Sequence, residues 1–341
     1  MEIKNDKQID VAAWSELVKI SSTGTWFQTP EAFEFFQSQP EFFKPFAYGV
    51  VSEGTLRGVC VGYVTVEKSA MKQMLTRRAI IIGGPCLADD CNNDEVTELM
   101  KTIRKELQGE AIYVESRNFN DYSKWKEAFM RAGFEYVPHL NFHVDTLSVE
   151  TVEANLGKSR KRDIRTTIRE GVVVKELKSE GVNDFERERM VHEYYEILSN
   201  LYKTKVKTPL FPESFFQALA KHPDARFLLT ELNGKIIGGT VCVAQEEKCL
   251  YEWFACGEDG VYPHVFPSCY ATYAGIRYAA EHSMTRFDMM GAGKPDEAYG
   301  VRDFKAKFGG TEVEHGRFLC ITKPLLYKIG VLGVKILRRL K

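Results

Sequence analysis

An internal repeat is the feature that most constrains the fold of this chain. The segment that begins at Pro30 has the same order of features as the segment that begins at Pro212, and the turn glycines Gly54 and Gly234 keep a similar spacing, about 180 residues. Each segment has a helix signal that begins at a proline, then an apolar run, a polar glycine turn and a second apolar run. This order predicts two copies of a helix that leads into a β-hairpin.

The likeness between the copies continues beyond the hairpins. Residues 94–116 predict an amphipathic helix followed by a strand, and so do residues 269–291. The closing segments also correspond, with Gly133 of the first copy matching Gly309 of the second. The repeat therefore predicts an α/β chain with mixed α+β sheets, divided into a first domain (1–154), a second domain that carries the active site (155–323) and a tail (324–341).

The composition limits the partners and the compartment. The 341 residues are 44% hydrophobic, enough to bury two cores, and 46 Lys and Arg balance 47 Asp and Glu, so a site for a polyanion must be local. The N-terminus lacks the apolar stretch of a secretion signal, and no apolar run is long enough to span a bilayer, so we expect a cytoplasmic protein. Its eight cysteines are then expected to be reduced thiols, and no CxxC spacing indicates a disulfide framework or a metal site.

Two clusters of basic residues stand out locally. The first occupies a predicted helix at the head of the second copy and comprises Lys158, Arg160, Lys161, Arg162, Arg165 and Arg169. It fits a solvated helix face, or contacts to the phosphates of a tRNA or of a nucleotide- or lipid-linked precursor. The second cluster, Lys203, Lys205 and Lys207, alternates as an exposed loop or strand would.

Four segments follow one another in the order that a known enzyme family shows. They are "TWFQTPEAF" from Thr25, "SRKRDIRTTIREGV" from Ser159, "YEWFACG" from Tyr251 and "GVRDFKAKFGG" from Gly300. In this order they resemble the FemABX family of peptidyltransferases. The resemblance implies two GNAT-like domains and the transfer of an amino acid from aminoacyl-tRNA, without another cofactor, to the peptide of a nucleotide- or lipid-linked muropeptide. The coiled-coil arm of some members is absent, because no sustained heptad run separates the copies.

The same resemblance implies where the acceptor would bind. A cation at Lys203 or Lys205 would hold the phosphate of the acceptor. Tyr251 and Trp253, two residues apart on one predicted strand, would line the acceptor cleft on one face. Both aromatic residues could instead belong to the core.

Lys305 is the predicted catalytic residue. Acyl transfer from an ester to an amine passes through a tetrahedral oxyanion, which needs a fixed positive charge or N–H donors. The second copy has Lys305 where the first has Phe129, and a lysine at a packed position is costly to desolvate unless it faces a cleft or a partner. Lys305 would hold this oxyanion or a phosphate of the donor. The alternative is a solvated lysine at a strand edge, a role that suits Lys307 better.

Residues around Lys305 complete the predicted site. Substrate contacts are expected from Tyr299, Arg302 and Phe304, although the family often has an aromatic or hydrophobic residue where this chain has Arg302 and Asp303. The attacking amine must also lose a proton to a group within hydrogen-bond reach. Asp288, at the end of a predicted buried strand, and Asp303 are the candidates, with capping or ion pairing as the structural alternative.

An acyl-CoA donor is the main alternative chemistry. Ordinary GNAT enzymes hold the pyrophosphate of coenzyme A in an Arg/Gln-x-x-Gly-x-Gly/Ala turn at a helix N-terminus. The equivalent region has Gly257 and Gly260 without the arginine or the spacing, although an anion could still bind near Ser268 and Cys269. That donor would make the chain an N-acyltransferase for a sugar or small amine. A covalent thioester on Cys269 and a non-catalytic precursor-binding protein are further alternatives.

The tail, residues 324–341, is apolar and basic within one helical stretch and is too short to cross a bilayer. By helical spacing Lys328, Lys335 and Arg339 fall on one side. Peripheral contact with an anionic membrane and packing onto the first domain both fit this pattern.

Overall fold

The computed structural model describes residues 1–67, 76–178, 181–206 and 209–339. Its contacts divide the chain into two compact units, Met1–His139 with Glu314–Lys341, and Leu140–Val313. Each unit is built on one β-sheet with helices packed against it. The predicted α/β fold with mixed sheets is therefore confirmed.

The first unit contains eight strands, numbered along the chain. They are β1 (Glu2–Asn5), β2 (Phe43–Ser52), β3 (Thr55–Thr65), β4 (Ala79–Gly83), β5 (Cys86–Leu87), β6 (Tyr113–Asn118), β7 (Glu135–Val137) and β15 (Arg317–Ile321). Its helices include α1 (Val11–Ile20), α2 (Pro30–Gln37), α3 (Asn93–Leu107), α4 (Lys126–Arg131) and α11 (Pro324–Arg339).

The second unit contains the remaining seven strands. They are β8 (Leu140–Asp145), β9 (Val173–Glu176), β10 (Ala225–Leu232), β11 (Lys235–Gln245), β12 (Cys249–Gly257), β13 (Arg286–Gly291) and β14 (Thr311–Glu314). Its helices include α5 (Val149–Asn155), α6 (Lys158–Arg169), α7 (Asp184–Leu201), α8 (Glu213–Lys221), α9 (Pro267–Glu281) and α10 (Gly300–Lys305). A π-helical turn, Tyr202–Val206, continues α7.

The two sheets have equivalent strand orders. The first runs β1-β2-β3-β4-β6-β15-β7, with β5 beside β3, and the second runs β9-β10-β11-β12-β13-β8-β14. Each has one parallel pair near its middle, β4 with β6 and β12 with β13, and an antiparallel neighbour on either side of that pair. This equivalence agrees with the repeat found in the sequence.

The hairpins of the two copies close in the same way. Glu53 and Gly54 join β2 to β3 with φ of 52° and 78°, and Asn233 and Gly234 join β10 to β11 with φ of 52° and 81°. Two-residue turns with positive φ at both positions match the twist of the flanking strands. Glycine suits the second position because it adopts positive φ without steric cost.

The boundaries of the units differ from the predicted ones. β7 is followed along the chain by β8, which pairs with β13 in the second sheet, and β14 is followed by β15, which lies between β6 and β7 in the first sheet. Each copy therefore gives one strand to the other sheet. As a result the first boundary falls after His139 instead of residue 154, and the chain returns to the first unit after Val313 instead of residue 323.

Local sequence signals explain the elements that support the sheets. α3 begins with a capping box, in which the Asn92 side chain accepts the amides of Asp94 and Glu95 while the Glu95 carboxylate accepts the amide of Asn92. β6 alternates partly exposed and buried side chains, so Val114 on one face joins the core while Glu115 and Arg117 lie on the other.

The tail forms a helix, α11, as predicted. Tyr327 packs edge-on against Tyr113 of β6 with ring centroids 5.6 Å apart, which ties the start of the helix to the first unit. Among the described helices, none combines the length and the apolar character that crossing a bilayer requires. All eight cysteines are buried, reduced thiols.

Candidate functional site

The candidate site lies where two parallel strands of the second unit separate. β12 and β13 are in register for three residue pairs, the last of which is Tyr251 with Asp288. Their counterparts β4 and β6 stay in register up to Gly83 with Asn118, the last residues of both strands. Beyond Tyr251 and Asp288, β12 and β13 are therefore no longer paired with each other. The side chains that follow contact groups outside this strand pair.

Lys305 reaches the open end of β13. It is the last residue of α10, and its ammonium donates hydrogen bonds to the carbonyl oxygens of Met289, of Met290 at 3.2 Å and of Gly291 at 3.0 Å. The three N–H donors of an ammonium are thus all engaged. The half-buried side chain is thus fixed in place and contributes a held positive charge.

The backbone beneath Lys305 is strained at Met290, a non-glycine residue with φ of 56°. The register between β13 and β8 shifts at this point, and the Met290 amide donates to Oδ1 of Asp288 at 2.8 Å. Such a backbone conformation costs about 1–3 kcal/mol and persists only where its surroundings hold it, most often at functional sites. Lys305 and Asp288 supply that support, because Lys305 donates to the Met290 carbonyl oxygen and Asp288 accepts from the Met290 amide.

Glu252 is a buried carboxyl directly after the last paired residue of β12. Its Oε1 accepts hydrogen bonds from the hydroxyls of Thr240 at 3.2 Å and Thr272 at 2.9 Å, and no group of the described residues donates to Oε2. Burial raises the pKa of Glu252, and the Lys305 charge and the two hydroxyls oppose this shift in part. A carboxyl with a raised pKa is suited to accept a proton in catalysis.

The ionisations of Lys305 and Glu252 are coupled. Burial lowers the pKa of Lys305, while the negative charges of Glu252 and Asp288 raise it in part. The structure thus brings together the two predicted catalytic residues, Lys305 and Asp288, and adds Glu252, which the sequence analysis missed. A signal for Glu252 was present, because it is the only charged residue in the nine-residue strand β12.

Asp288 is fully buried, and one of its two carboxylate oxygens, Oδ1, is well supplied with hydrogen-bond donors. Oδ1 accepts hydrogen bonds from Asn141 Nδ2 and from the Met290 amide, both at 2.8 Å, and Oδ2 lies 3.2 Å from His143 Nε2. Burial alone would raise the pKa of Asp288, but His143, Arg286 and Asn141 outweigh it and lower the pKa. These contacts fit a group that orients His143 and the strained backbone better than the predicted proton acceptor.

Arg160 is placed differently from its predicted role in substrate binding. Its side chain is buried, and its guanidinium lies 4.5 Å from the ring centroid of Phe304 and 5.1 Å from that of Phe308. It also donates to Asp163 at 3.3 Å. Arg160 therefore packs against the segment that carries Lys305 and is not exposed to a phosphate group. Phe304, also predicted to bind substrate, is half-buried under this guanidinium.

Arg302 and Tyr299 shape the loop that follows β13. Arg302 donates to the carbonyl oxygens of Ala292 at 3.1 Å, Lys294 and Pro295, so its guanidinium holds the loop instead of meeting a substrate as predicted. The Tyr299 ring lies against Gly293, where an added Cβ would come within 2.9 Å of it. Tyr299 remains 43% exposed and is available to a ligand.

Tyr251 and Trp253, which the spacing predicts on one face, differ in burial. The register between β11 and β12 shifts between Val241 and Cys242, which leaves Trp253 as an extra residue on β12. Tyr251 is fully buried and its hydroxyl donates to Gln245 at 3.3 Å. Period-two alternation does not hold across a bulge, and the burial of Tyr251 makes it a core residue, the alternative that the sequence left open. Trp253 is half-buried and packs edge-on against Phe215.

The other predicted cations are exposed. Lys158 and Arg165 are solvent-exposed on α6, and Lys203 and Lys205 are exposed on the π-helical turn, whereas Lys207 lies outside the described residues. Lys205 lines a groove of about 420 Å³ together with Lys235, Glu196, Glu258 and Asp259. An anion at Lys205 would meet these carboxylates, so Lys203 is better placed than Lys205 for the predicted phosphate contact.

The start of α9 is occupied by an acidic side chain. Asp259 accepts the amide of Ser268 at 3.1 Å, and Gly257 packs so closely that an added Cβ would lie 2.4 Å from the same nitrogen. A pyrophosphate at this helix end would meet the Asp259 carboxylate. Cys269 is buried, which raises its pKa to about 12, so it does not provide the thiolate that a covalent mechanism needs.

Metal chemistry receives no support in the part of the chain that the structure describes. No group of three or more His, Cys, Asp or Glu side chains is arranged there to hold a metal ion.

Comparison with known proteins identifies the fold. Residues 158–305 match a family model described as an acetyltransferase (GNAT) domain. The solved structure of FemX has a TM-score of 0.70 and 14% identity over 96% of this chain and 99% of FemX. The C-terminal domain of a protein assigned as a lysylphosphatidylglycerol synthetase of Agrobacterium fabrum has a TM-score of 0.61 and 12% identity over 96% of this chain and 95% of its own.

A tandem GNAT protein from the clavulanic acid biosynthesis pathway also has this fold. Its TM-score is 0.53 at 9% identity, over 94% of this chain and 98% of that protein. No curated protein matches the sequence. At these identities the structures define the fold alone. The predicted fold of two tandem GNAT-like domains, similar to FemX, is confirmed.

Proposed function

We propose that this chain, an acyltransferase-fold protein with two GNAT-like domains, transfers an amino acid from aminoacyl-tRNA to an amine of a peptidoglycan-precursor peptide. One observation carries the proposal. Inside the segment that matches a GNAT domain, the half-buried Lys305 and the buried Glu252 interact electrostatically where β12 and β13 separate. Buried groups with shifted pKa values are typical of catalytic sites.

Each group has a role in the aminolysis of an ester. The acceptor amine attacks the ester carbonyl, a C–N bond forms, and Glu252 takes the proton that the nitrogen loses. The carbonyl oxygen becomes an oxyanion, and the fixed charge of Lys305 stabilises it. The C–O bond to the ribose then breaks, and the leaving ribose oxygen takes the proton that Glu252 accepted, which restores the carboxylate.

The donor is inferred from the start of α9. Asp259 already holds the Ser268 amide there, which disfavours the pyrophosphate of acyl-CoA on electrostatic grounds. An aminoacyl ester does not need that anion site. An acyl-CoA-dependent N-acyltransferase acting on a sugar or small amine is the second candidate, because the matching family model is described as an acetyltransferase.

The structural neighbours support an aminoacyl donor. FemX has the same fold over nearly the whole chain, and the Agrobacterium fabrum protein is assigned to the synthesis of lysylphosphatidylglycerol, a lipid that carries an amino acid. The exposed cations Lys158, Arg165 and Lys203 are the proposed contacts to the phosphates of tRNA or of a nucleotide- or lipid-linked muropeptide. Trp253 and Tyr299 are the proposed aromatic contacts.

The test is transfer of a labelled amino acid from a mixture of aminoacyl-tRNAs to a nucleotide-linked muropeptide. Lys305→Met is expected to lower the rate about 10²- to 10³-fold, and Glu252→Gln about 10²- to 10⁴-fold. Lys307→Met is the matched control, because Lys307 is exposed on the same segment. A thermal melt of each variant verifies that it is folded.

The alternatives predict other outcomes. Transfer from acetyl-CoA alone would favour the N-acyltransferase. Binding of the muropeptide with no turnover from either donor would indicate a precursor-binding protein. Wild-type rates in both Lys305→Met and Glu252→Gln would exclude the proposed site.

We also propose that α11 contacts an anionic bilayer from one side. Tyr327 packs on the first unit, whereas Leu325 is 76% exposed and Ile329 is 52% exposed. Lys328 is exposed beside them, and Lys335 and Arg339 follow at helical spacing in the sequence, their side chains lying outside what the structure describes. Exposed apolar residues flanked by cations are typical of interfacial helices.

Sedimentation with lipid vesicles tests this contact. We expect the chain to bind vesicles that contain phosphatidylglycerol and not vesicles of phosphatidylcholine alone, and we expect Leu325→Gln with Ile329→Gln to abolish binding. Val261→Gln is the control, because Val261 is 63% exposed in the other unit. Equal sedimentation with both lipids, or no effect of the double change, would contradict the contact.

A further inference from the structure

Two arginines of the first unit lie directly opposite each other in its sheet. Arg117 on β6 and Arg317 on β15 are partners in the antiparallel register. In the same row, Ile82 of β4 flanks Arg117 and Val137 of β7 flanks Arg317. Like charges in directly opposed positions destabilise a sheet. The pair therefore needs a compensating charge.

Glu115 supplies part of that compensation. One carboxylate oxygen lies 2.8 Å from Nε of Arg117 and the other lies 2.8 Å from a terminal nitrogen of Arg317. Burial alone would raise the pKa of Glu115, but the two guanidinium groups lower it to about 2, so it is ionised at neutral pH. Two positive charges thus share one negative charge, and an excess of one positive charge remains.

The second guanidinium is further restrained by His139. The other terminal nitrogen of Arg317 donates to Nε2 of His139 at 2.8 Å. A guanidinium only donates hydrogen bonds, so Nε2 is the acceptor in this contact, and a histidine side chain brings no negative charge to the pair. Arg317 is therefore held on both sides, by Glu115 and by His139.

Arg117 is held differently, because among the described residues only its Nε has an acceptor. Across the described residues, no acceptor is bound to either of its terminal nitrogens. The side chain is 34% exposed, on the partly exposed face of β6. A fixed guanidinium thus keeps two terminal nitrogens without an acceptor among the described residues, next to a second positive charge. Planar guanidinium forks match the geometry of carboxylate and phosphate oxygens.

We infer that Arg117 and Arg317 form an oxyanion-binding site of the first unit, which takes a phosphate or a carboxylate group of a ligand. Arg117 would bind two oxygens of the group through its terminal nitrogens, and Arg317 would contribute charge from the next strand. The inference concerns the first unit and does not depend on the acyl transfer proposed for the second.

The experiment is isothermal titration of the full chain with inorganic pyrophosphate and, separately, with succinate. We expect at least one anion to bind, and the one that binds tells a phosphate from a carboxylate ligand. Arg117→Gln should weaken binding about tenfold or more, because it removes two charge-assisted hydrogen bonds. Arg117→Lys, which keeps the charge without the fork, should weaken it to a smaller extent.

Arg131→Gln is the matched control, since Arg131 is an exposed arginine of the same unit paired with Asp94. It removes one positive charge without touching the pair, and wild-type affinity is expected. The inference is overturned if neither anion binds, if both Arg117 variants bind as the wild type does, or if Arg131→Gln weakens binding as much as Arg117→Gln.

Discussion

Burial disfavours the charged forms of both Glu252 and Lys305. Because burial raises the pKa of Glu252, its basic form is lost as the pH falls through a value above the usual 4.5. Because burial lowers the pKa of Lys305, its positive charge is lost as the pH rises through a value below the usual 10.5. If both charges are needed, the rate follows a bell-shaped profile narrower than two exposed residues would give.

The acid limb of that profile is open to a direct test through Thr272. Its hydroxyl donates to Glu252 and lowers the pKa of the carboxyl, so Thr272→Val should raise that pKa and move the acid limb of kcat/KM to higher pH. Thr97→Val is the control, because Thr97 is a buried threonine of the first unit whose hydroxyl meets only main-chain carbonyls. An unmoved acid limb with a folded Thr272→Val protein would assign the limb to another group.

At the scale of elements, α6 holds the segment that carries Lys305. The Gly157 amide before the helix donates to the Lys307 carbonyl at 3.0 Å, and Arg160 covers the rings of Phe304 and Phe308. Gly309, with φ of 81°, closes the turn where an added Cβ would lie 2.3 Å from the Asn155 carbonyl oxygen. These contacts indicate that Arg160 positions Lys305 without touching the reacting atoms.

Arg160→Lys tests this positioning, because it keeps the charge and loses the planar group over the two rings. We expect a loss of stability of about 1–2 kcal/mol and a fall in kcat with little change in KM. We also expect the alkaline limb of the pH profile to move up, since a loosened Lys305 is less desolvated. Arg162→Lys is the control, with a side chain that is 73% exposed. A purely structural role would lower stability and leave the alkaline limb in place.

The sequence predicted the elements well because their signals are local. The proline at the start of α2, the turn glycines and the helix-strand patterns were sufficient for both copies. The exchange of β8 and β15 between the sheets could not be predicted, because the sequence of a short apolar strand does not indicate which strand it pairs with. The bulge at Trp253 was equally hidden.

The candidate site was only partly predictable for the same reason. Lys305 was found because the repeat and the family resemblance both single it out. The role of Asp288 depends on Asn141 and His143, which come from β8 far away in the chain. Arg160 looked like part of a basic surface until its contacts with Phe304 and Phe308 were known. Long-range contacts of this kind decide whether a charged residue binds a ligand or supports the fold.

At the scale of the whole molecule, the stability of the first unit depends on the ionisation of Glu115. Its pKa is lowered from an ordinary 4.5 to about 2 in the folded state by Arg117 and Arg317. A group whose pKa is lowered by folding contributes stability above its unfolded pKa, and that contribution is lost as the pH falls through the folded pKa. The contribution of Glu115 is therefore complete at neutral pH and disappears between about pH 4.5 and pH 2.

Glu115→Gln should therefore lower the free energy of unfolding of the first unit by up to about 3 kcal/mol at pH 7, because two opposed arginines lose their shared charge. The difference from the wild type should shrink below pH 4.5 and vanish near pH 2, where Glu115 is itself protonated. Denaturant unfolding across this pH range measures it. Glu110→Gln is the control, since Glu110 forms an exposed pair with Lys44 and should cost less than about 1 kcal/mol. A difference independent of pH would mean that Glu115 acts through packing alone.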